Sequence, residues 1–386
     1  MTPHKLRIII ETLQIGGTEK HLSFVLPELA HKGWIIKVIT TTAIAPLKEA
    51  LTRHGIKVHT APRWFEWFPF NTILFRPICL FWNLVRLMID FLIDRHSITH
   101  YFLPRTYGLG MIASLLTGLK APQLMSRRSL NHYQRKYKGF HTLETFFHKR
   151  CDLILGNSQA VVHQLRHEEG VSPDKARLLY NGIPLEPYTT LTRQECRQNL
   201  ALSEKDLVLV IVANLIPYKG HQDLIQALGK IKNKLPKNWK LWCVGRDTGI
   251  QNKLEAQAAI LGINDHIEWL GLRQDIPMLL KASDIGVLCS HEEGFSNAIL
   301  EGMAAGLPMV VTDVGGNKEA VLQLETGFVV PPHNPDALGN AIVQLATHEE
   351  LRHKMGEKGF QRVRTCFSLE KCAETYHELY KSFVRQ

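Results

Sequence analysis

The sequence predicts an α/β protein of two similar halves, each a parallel sheet with helical crossovers. Three observations predict it. Short apolar runs alternate with helix-length segments along the chain, the pattern of strands joined by crossover helices. The 386 residues exceed one ordinary domain of ~100–200 residues. The alternation restarts at residue 207, after a stretch from 184 to about 203 that reads as a hinge with a helical turn at 195–200.

The elements follow in order. Residues 6–10 are a short apolar strand, 14–18 a loop containing Gly16 and Gly17, 19–32 a helix closed by Gly33, and 34–40 the next strand. A parallel sheet places ligand loops at the carboxyl ends of its strands. The stretch 70–93 is long and apolar, but it carries Arg76, Pro77, Asn83, Arg86 and Asp90. Each charge at mid-bilayer costs roughly 2.5–3.5 kcal/mol, so it reads as a helix packed on the sheet or lying against a membrane. Before it, Trp64, Phe65, Trp67 and Phe68 beside Arg63 form either an interfacial patch or a packed loop. Further strands are expected at 152–156 and 178–180, with Ser158 opening a helix. In the second half they are expected at 207–213, 240–244, 266–270, 285–289 and 308–312.

Composition excludes several classes. Hydrophobic residues make up 45% and charged residues 21%, which is globular rather than disordered. The seven cysteines are scattered, with no Cys-x-x-Cys pair, and read as reduced packed thiols rather than a disulfide framework or zinc site. The start, 1–11, has no signal-peptide pattern, so a cytoplasmic location is expected. The net charge of +10 lies wholly in residues 1–185, which carry +12 against −2 for the remainder. That suits an anionic partner on the first half or is simply a solvated basic face. Arg127, Arg128, Arg135, Lys136 and Lys138, interleaved with Tyr133 and Tyr137, suit a phosphorylated acceptor. No nucleic-acid motif accompanies them, and none is expected as partner.

The chemistry concentrates at 290–308. A strand ends near Cys289, Ser296 is a plausible N-cap, and a helix-forming run begins at Asn297. The free N–H groups of a helix start favour phosphate. Glu301 lies about one turn in, ~6 Å beyond Asn297, where a carboxylate can take both hydroxyls of a ribose. Glu293, in the preceding loop, can hold hydroxyls of a sugar beyond the phosphates. The spacing matches one extended ligand: ribose, phosphates, sugar.

This pattern resembles the large family of retaining GT-B glycosyltransferases often called family 4. Gly16, Gly17, Thr18 and Glu19 look like its donor-facing glycine loop. The segment from Val212 to Gly220 is similar to its phosphate-binding segment, and Gly315 to Glu319 resembles the segment after its next strand. The order holds from residue 5 to about 380. The resemblance implies two Rossmann-like domains with a cleft between them: an acceptor-side domain at 1–185, a nucleotide-sugar domain at 186–365, and a final helix at 366–386 crossing back to the first. It implies that Glu301 binds the donor ribose, Glu293 contacts the transferred sugar, and Lys219 neutralises the diphosphate. Gly16 and Gly17 admit donor phosphate and acceptor, as residues without Cβ suit close approach. Gly294, Phe295, Ser296 and Asn297 bind phosphate or sugar, and the turn at Arg273 covers the base. The expected catalytic set is Glu293, Lys219 and Gly17.

Two departures stand out. Asn214 occupies the place of an arginine that clamps the phosphate in most members, which leaves Lys219 with help from Arg246. The family's histidine near the sugar falls about at Arg128, with His132 and His100 nearby, so Arg127, Arg128 and His132 are the acceptor-side candidates. No metal or other cofactor is expected: the chain has no Asp-x-Asp motif, and the nucleotide sugar is a co-substrate. The implied partners are a nucleotide-sugar donor, a glycan or glycolipid acceptor such as a lipopolysaccharide, capsule or lipid-linked precursor, and an anionic membrane surface. UDP and GDP sugars both fit.

Three other readings fit parts of the sequence. Residues 108–113 match a dinucleotide fingerprint, but Arg127 and Arg128 stand where the ribose-binding acid belongs, which disfavours a dehydrogenase. A nucleotide-sugar epimerase shares the architecture, and a non-catalytic binding protein would follow if the missing arginine abolished turnover.

Overall fold

The computed structural model describes residues 4–14, 16–67, 75–131 and 138–384. Two compact units result: Met1–Gly182 with Leu369–Gln386, and Ile183–Ser368.

In the first unit, strands β1 (Lys5–Ile10), β2 (Ile35–Thr40), β3 (Lys57–His59), β4 (Ile98–Phe102), β5 (Gln123–Arg127), β6 (Leu153–Gly156) and β7 (Ala176–Leu178) form a parallel sheet ordered β3-β2-β1-β4-β5-β6-β7. In the second, β8 (Leu207–Val212), β9 (Trp239–Val244), β10 (Ile267–Gly271), β11 (Ile285–Leu288), β12 (Met309–Thr312) and β13 (Gly327–Val330) are ordered β10-β9-β8-β11-β12-β13. Both are doubly wound, so each has a switch point, between β1 and β4 and between β8 and β11. Ligand loops gather at such points. The central strands are covered on both faces, which is why β8 reads as an unbroken apolar run.

One expected strand shifts, and four strands are additional. The strand expected at 178–180 lies at Ala176–Leu178, where Ile154 pairs with Ala176. β3, β4, β5 and β13 are not among the strands expected from the sequence; β13, four residues opened by a glycine, carries too little periodicity. The glycine pattern at 108–113 lies inside the helix Pro104–Thr117, not in a phosphate loop. A Cβ on Gly110 would stand 2.1 Å from the Tyr101 ring, so close packing on the sheet accounts for that glycine.

The apolar stretch forms the helix Arg76–Ile93, with 68–74 outside the described residues. Asn83, Arg86 and Asp90 point inward. Asn83 donates to the Thr41 and Cys79 carbonyls at 3.1 and 3.0 Å. Asp90 accepts from buried Arg7 at 2.6 Å and from Lys37 at 2.9 Å. Ile78, Phe81, Val85, Ile89 and Leu92 are exposed instead. The aromatic segment before it is partly packed: Phe65 is buried against Trp82, while Trp64 is exposed. Among the described residues no helix is long and apolar enough to cross a membrane.

The last helix, Leu369–Val384, belongs to the first unit and packs on the helix Gly17–His31. Tyr380 bonds His100 Nδ1 at 2.7 Å, and His377 accepts from Trp34 Nε1 at 3.0 Å.

Candidate donor site

The site of the second unit grows from its switch point. After β8 the chain turns through Asn214 to a short 3-10 helix, Pro217–Lys219, and Gly220 caps the helix His221–Ile231. After β11 it runs through Ser290 and Glu293 to the helix Asn297–Ala304. The two crossings meet tightly. Gly220 has φ +74, and a Cβ there would fall 1.9 Å from the Cys289 carbonyl oxygen. Only glycine meets both demands. The His291 N–H also donates to the Tyr218 carbonyl at 2.7 Å.

This approach brings Lys219 Nζ to 2.5 Å from Glu293 Oε1. Both side chains are largely shielded, so the pair is screened less than a surface bridge. The carboxylate is also aimed from behind. Ser290 Oγ donates to the same oxygen at 2.8 Å, Thr312 Oγ1 donates to the Ser290 carbonyl at 2.5 Å, and Asn317 Nδ2 donates to the Thr312 carbonyl at 3.0 Å. The segment 315–319 therefore acts through position: Gly315, at φ +51, passes so close to Glu293 that a Cβ would stand 2.0 Å from its carbonyl oxygen. The Gly316 N–H bonds the Gly294 carbonyl at 2.9 Å.

Glu301 is buried one turn into the helix Asn297–Ala304. Burial first, then the charge of Glu301, pushes the Tyr188 phenol far up. Ser296 occupies the N-cap position but its side chain makes no cap bond. Phe295 is buried against Phe367, with ring centroids 5.3 Å apart.

Asn214 has a positive role of its own. Its Oδ1 accepts from the Arg246 N–H at 3.0 Å, lacing the end of β8 to the turn after β9, and the Arg246 side chain is exposed. Arg273 is held by Asp275 through two bonds of 2.8 and 2.6 Å. Cys289 is no nucleophile: burial pushes its thiol up to about 12. His221 is held neutral, pushed down to about 4 by burial and then by Lys219.

In the first unit, Gly16 is the N-cap of the helix Gly17–His31. A Cβ on Gly16 would meet the Glu19 carboxylate at 2.5 Å, whereas Gly17 faces open space. Burial raises the Glu19 carboxyl, while its own backbone and Arg128 work to lower it. Arg128 bonds Asn181 Oδ1 at 2.7 Å.

Arg127 is a correction. It is 2% exposed and buried with Glu169, Glu144 and His148, so it is no acceptor-side group. Its guanidinium takes both Glu169 oxygens at 2.9 Å and Glu144 at 3.4 Å. Alternation along β5 turns neighbours to opposite faces, which separates Arg127 from Ser126. His100 is buried between Tyr380 and Ser126, the latter at 2.9 Å, and anchors the last helix. His132, Tyr133, Arg135, Lys136 and Tyr137 lie outside the described residues.

Comparison with known proteins agrees with this architecture. Residues 192–362 match the family described as glycosyl transferases group 1, and residues 15–187 match glycosyltransferase family 4. N-acetyl-alpha-D-glucosaminyl L-malate synthase of Bacillus anthracis is 28% identical over 292 residues, 75% of this chain and 73% of that protein. The UDP-Gal:alpha-D-GlcNAc-diphosphoundecaprenol alpha-1,3-galactosyltransferase of Escherichia coli is 28% identical over 219 residues, 55% of this chain and 56% of that protein. Anabaena Alr3699/HepE, solved in complex with UDP and glucose, superimposes with a TM-score of 0.82 at 21% identity, over 98% of this chain and 100% of that one. The fold is GT-B, and the chain belongs to the family 4 glycosyltransferases.

Proposed function

We propose that this glycosyltransferase moves a sugar, with retention and without a metal ion, from a nucleotide-sugar donor, UDP-linked first, to a membrane-associated glycan or glycolipid precursor. The observation that carries the donor reading is the Lys219–Glu293 pair at the switch point, with Glu301 buried one helical turn beyond it. An acceptor hydroxyl attacks the anomeric carbon as the bond to the diphosphate breaks, and nucleoside diphosphate and a proton are released. Negative charge grows on the leaving diphosphate. Lys219, Arg246 and the first N–H groups of the helix Asn297–Ala304 stabilise it, and comparable single donors are worth ~2.7–4 kcal/mol. Glu293 orients the sugar hydroxyls and forms no covalent bond. Glu301 takes the ribose diol, and the turn at Arg273 covers the base. Gly16 and Gly17 admit the donor phosphate and the acceptor, and Arg128 serves the acceptor side.

The membrane reading, on the cytoplasmic face, rests on the helix Arg76–Ile93. It turns Asn83, Arg86 and Asp90 inward and exposes Ile78, Phe81, Val85, Ile89 and Leu92, on the half of the chain carrying the whole basic excess. An apolar face with surrounding positive charge binds an anionic bilayer surface. The diphosphoundecaprenol in the name of the Escherichia coli relative supports a lipid-linked acceptor. Flotation with vesicles tests the location. The protein rises with anionic vesicles and Phe81→Asp weakens this; failure of wild type to float would contradict it. Labelled UDP-sugar incubated with membrane extract should give lipid-extractable label, and label confined to water-soluble products would refute the acceptor class.

A further inference from the structure

Asp223, His291 and His333 meet in the second unit from three separate segments. Asp223 is in the first turn of the helix His221–Ile231, His291 is in the loop that leads to Glu293, and His333 follows β13. One ligand atom from each lies within 4.8 Å of the others. His291 Nε2 is 2.8 Å from Asp223 Oδ2, and His333 Nδ1 is 4.0 Å from the same oxygen. The two imidazole rings are 3.7 Å apart between centroids, at 37°. His333 has φ +55, a left-handed backbone that side-chain-bearing residues adopt at a cost. Among the described residues, Asp223 has ion-pair contacts with these two histidines and with no lysine or arginine.

Zn²⁺ binds imidazole nitrogen and carboxylate oxygen at ~2.0–2.2 Å in tetrahedral geometry, so ligand atoms on one ion stand ~3.3–3.5 Å apart. The 2.8 and 4.0 Å separations bracket that spacing. The His333 side chain is 66% exposed, which leaves a fourth position open to water. We propose that Asp223, His291 and His333 bind one divalent transition-metal ion, zinc foremost, at a position separate from the sugar-transfer chemistry. The ion clamps the start of the helix His221–Ile231 to the Ser290–Glu293 loop. It thereby fixes the two segments that carry Lys219 and Glu293. A second cluster, Glu374, His377 and Glu378, is already committed: Lys32 takes Glu374 at 2.5 Å, Lys381 lies 3.5 Å from Glu378, and His377 accepts from Trp34.

Metal-stripped, tag-free full-length protein titrated with Co²⁺, then with Zn²⁺ in equilibrium dialysis, tests the site without any turnover. The expected result is one saturable equivalent, with the visible spectrum of four-coordinate cobalt. His333→Ala and His333→Asn, the latter tolerant of left-handed backbone, should weaken binding at least ~10-fold, and His377→Ala should leave it unchanged. Absence of a saturable equivalent, unchanged affinity in both His333 variants, or loss in His377→Ala would overturn the proposal and leave His291 hydrogen-bonded to Asp223 with the His333 ring against it.

Discussion

Lys219 and Glu293 face each other across the switch point of the second sheet, Nζ to Oε1 at 2.5 Å. The cation proposed for the diphosphate is thus balanced by the carboxylate proposed for the sugar. Seating a donor exchanges this internal bridge for contacts with the ligand. Removing one partner leaves the other charge uncompensated in a shielded site.

Glu293→Gln should therefore separate binding from turnover. With the competing carboxylate gone, Lys219 is released to the diphosphate, and UDP should bind more tightly in calorimetry. Transfer should fall ~10²–10³-fold, as on removal of a preorganised electrostatic group. Weaker UDP binding in this variant would show that the bridge does not compete with donor.

Gly220→Ala should damage the same site through the backbone. The methyl would fall 1.9 Å from the Cys289 carbonyl oxygen at a left-handed φ of +74. A stability loss of about 2–4 kcal/mol is expected from strain and steric overlap, read from urea unfolding. Gly17→Ala, with open space around the added carbon, should leave stability within about 1 kcal/mol while reducing transfer. Equal unfolding midpoints for wild type and Gly220→Ala would contradict the packing described.

Much of this was legible in the sequence, and the gaps have physical causes. The two α/β halves showed in alternating apolar runs, because strands buried on both faces need them. Glu293 and Glu301 were legible because one loop and one helical turn separate them. Their partners were not: Ser290, Thr312 and Asn317 are ordinary polar residues whose chain of hydrogen bonds exists only once β11 and β12 pair. The charge of Glu301 acts on the buried Tyr188 phenol from more than a hundred residues away in the chain. Arg127 misled because a charge run next to Arg128 looks solvated, whereas β5 is a central strand buried along its whole length. Asn214 looked like a loss and proves to hold the Arg246 turn.

The Arg127 network should matter for stability alone. Arg127→Met leaves Glu169 and Glu144 buried without their guanidinium, and breaking such a pair costs about 3–5 kcal/mol. Denaturant unfolding should show that loss, while UDP affinity of the surviving folded protein is unchanged. A stable variant with lost acceptor use would return Arg127 to the acceptor side.

Acid should weaken the fold early. Burial, the first cause in each case, pushes His100 down to about 3, His221 to about 4 and His21 well below its ordinary value. All three rings are neutral when folded, whereas an unfolded chain protonates them near 6.5. The unfolded state thus binds more protons below that pH. Stability is full above about pH 6.5 and falls as pH drops toward 4, by up to ~1.4 kcal/mol per unit for each ring. Glu169, which burial alone would raise, is held at about 2 by His148 and Arg127, so its contribution disappears between about pH 4.5 and 2. Melting temperatures measured from pH 8 to 4.5 should decline from about 6.5 downward; a flat profile to pH 5 would contradict the buried neutral histidines.

The central claim is that Lys219, Glu293 and Glu301 form a nucleotide-sugar site. Its most direct test is release of nucleoside diphosphate from a panel of UDP and GDP sugars, comparing wild type with Lys219→Ala and Glu301→Ala. One donor should be cleaved slowly without acceptor, and both variants should lose that activity while remaining folded. Undiminished cleavage in either variant would remove that residue from the site. No cleavage and no nucleotide binding by wild type, even with membrane extract present, would contradict the claim as a whole.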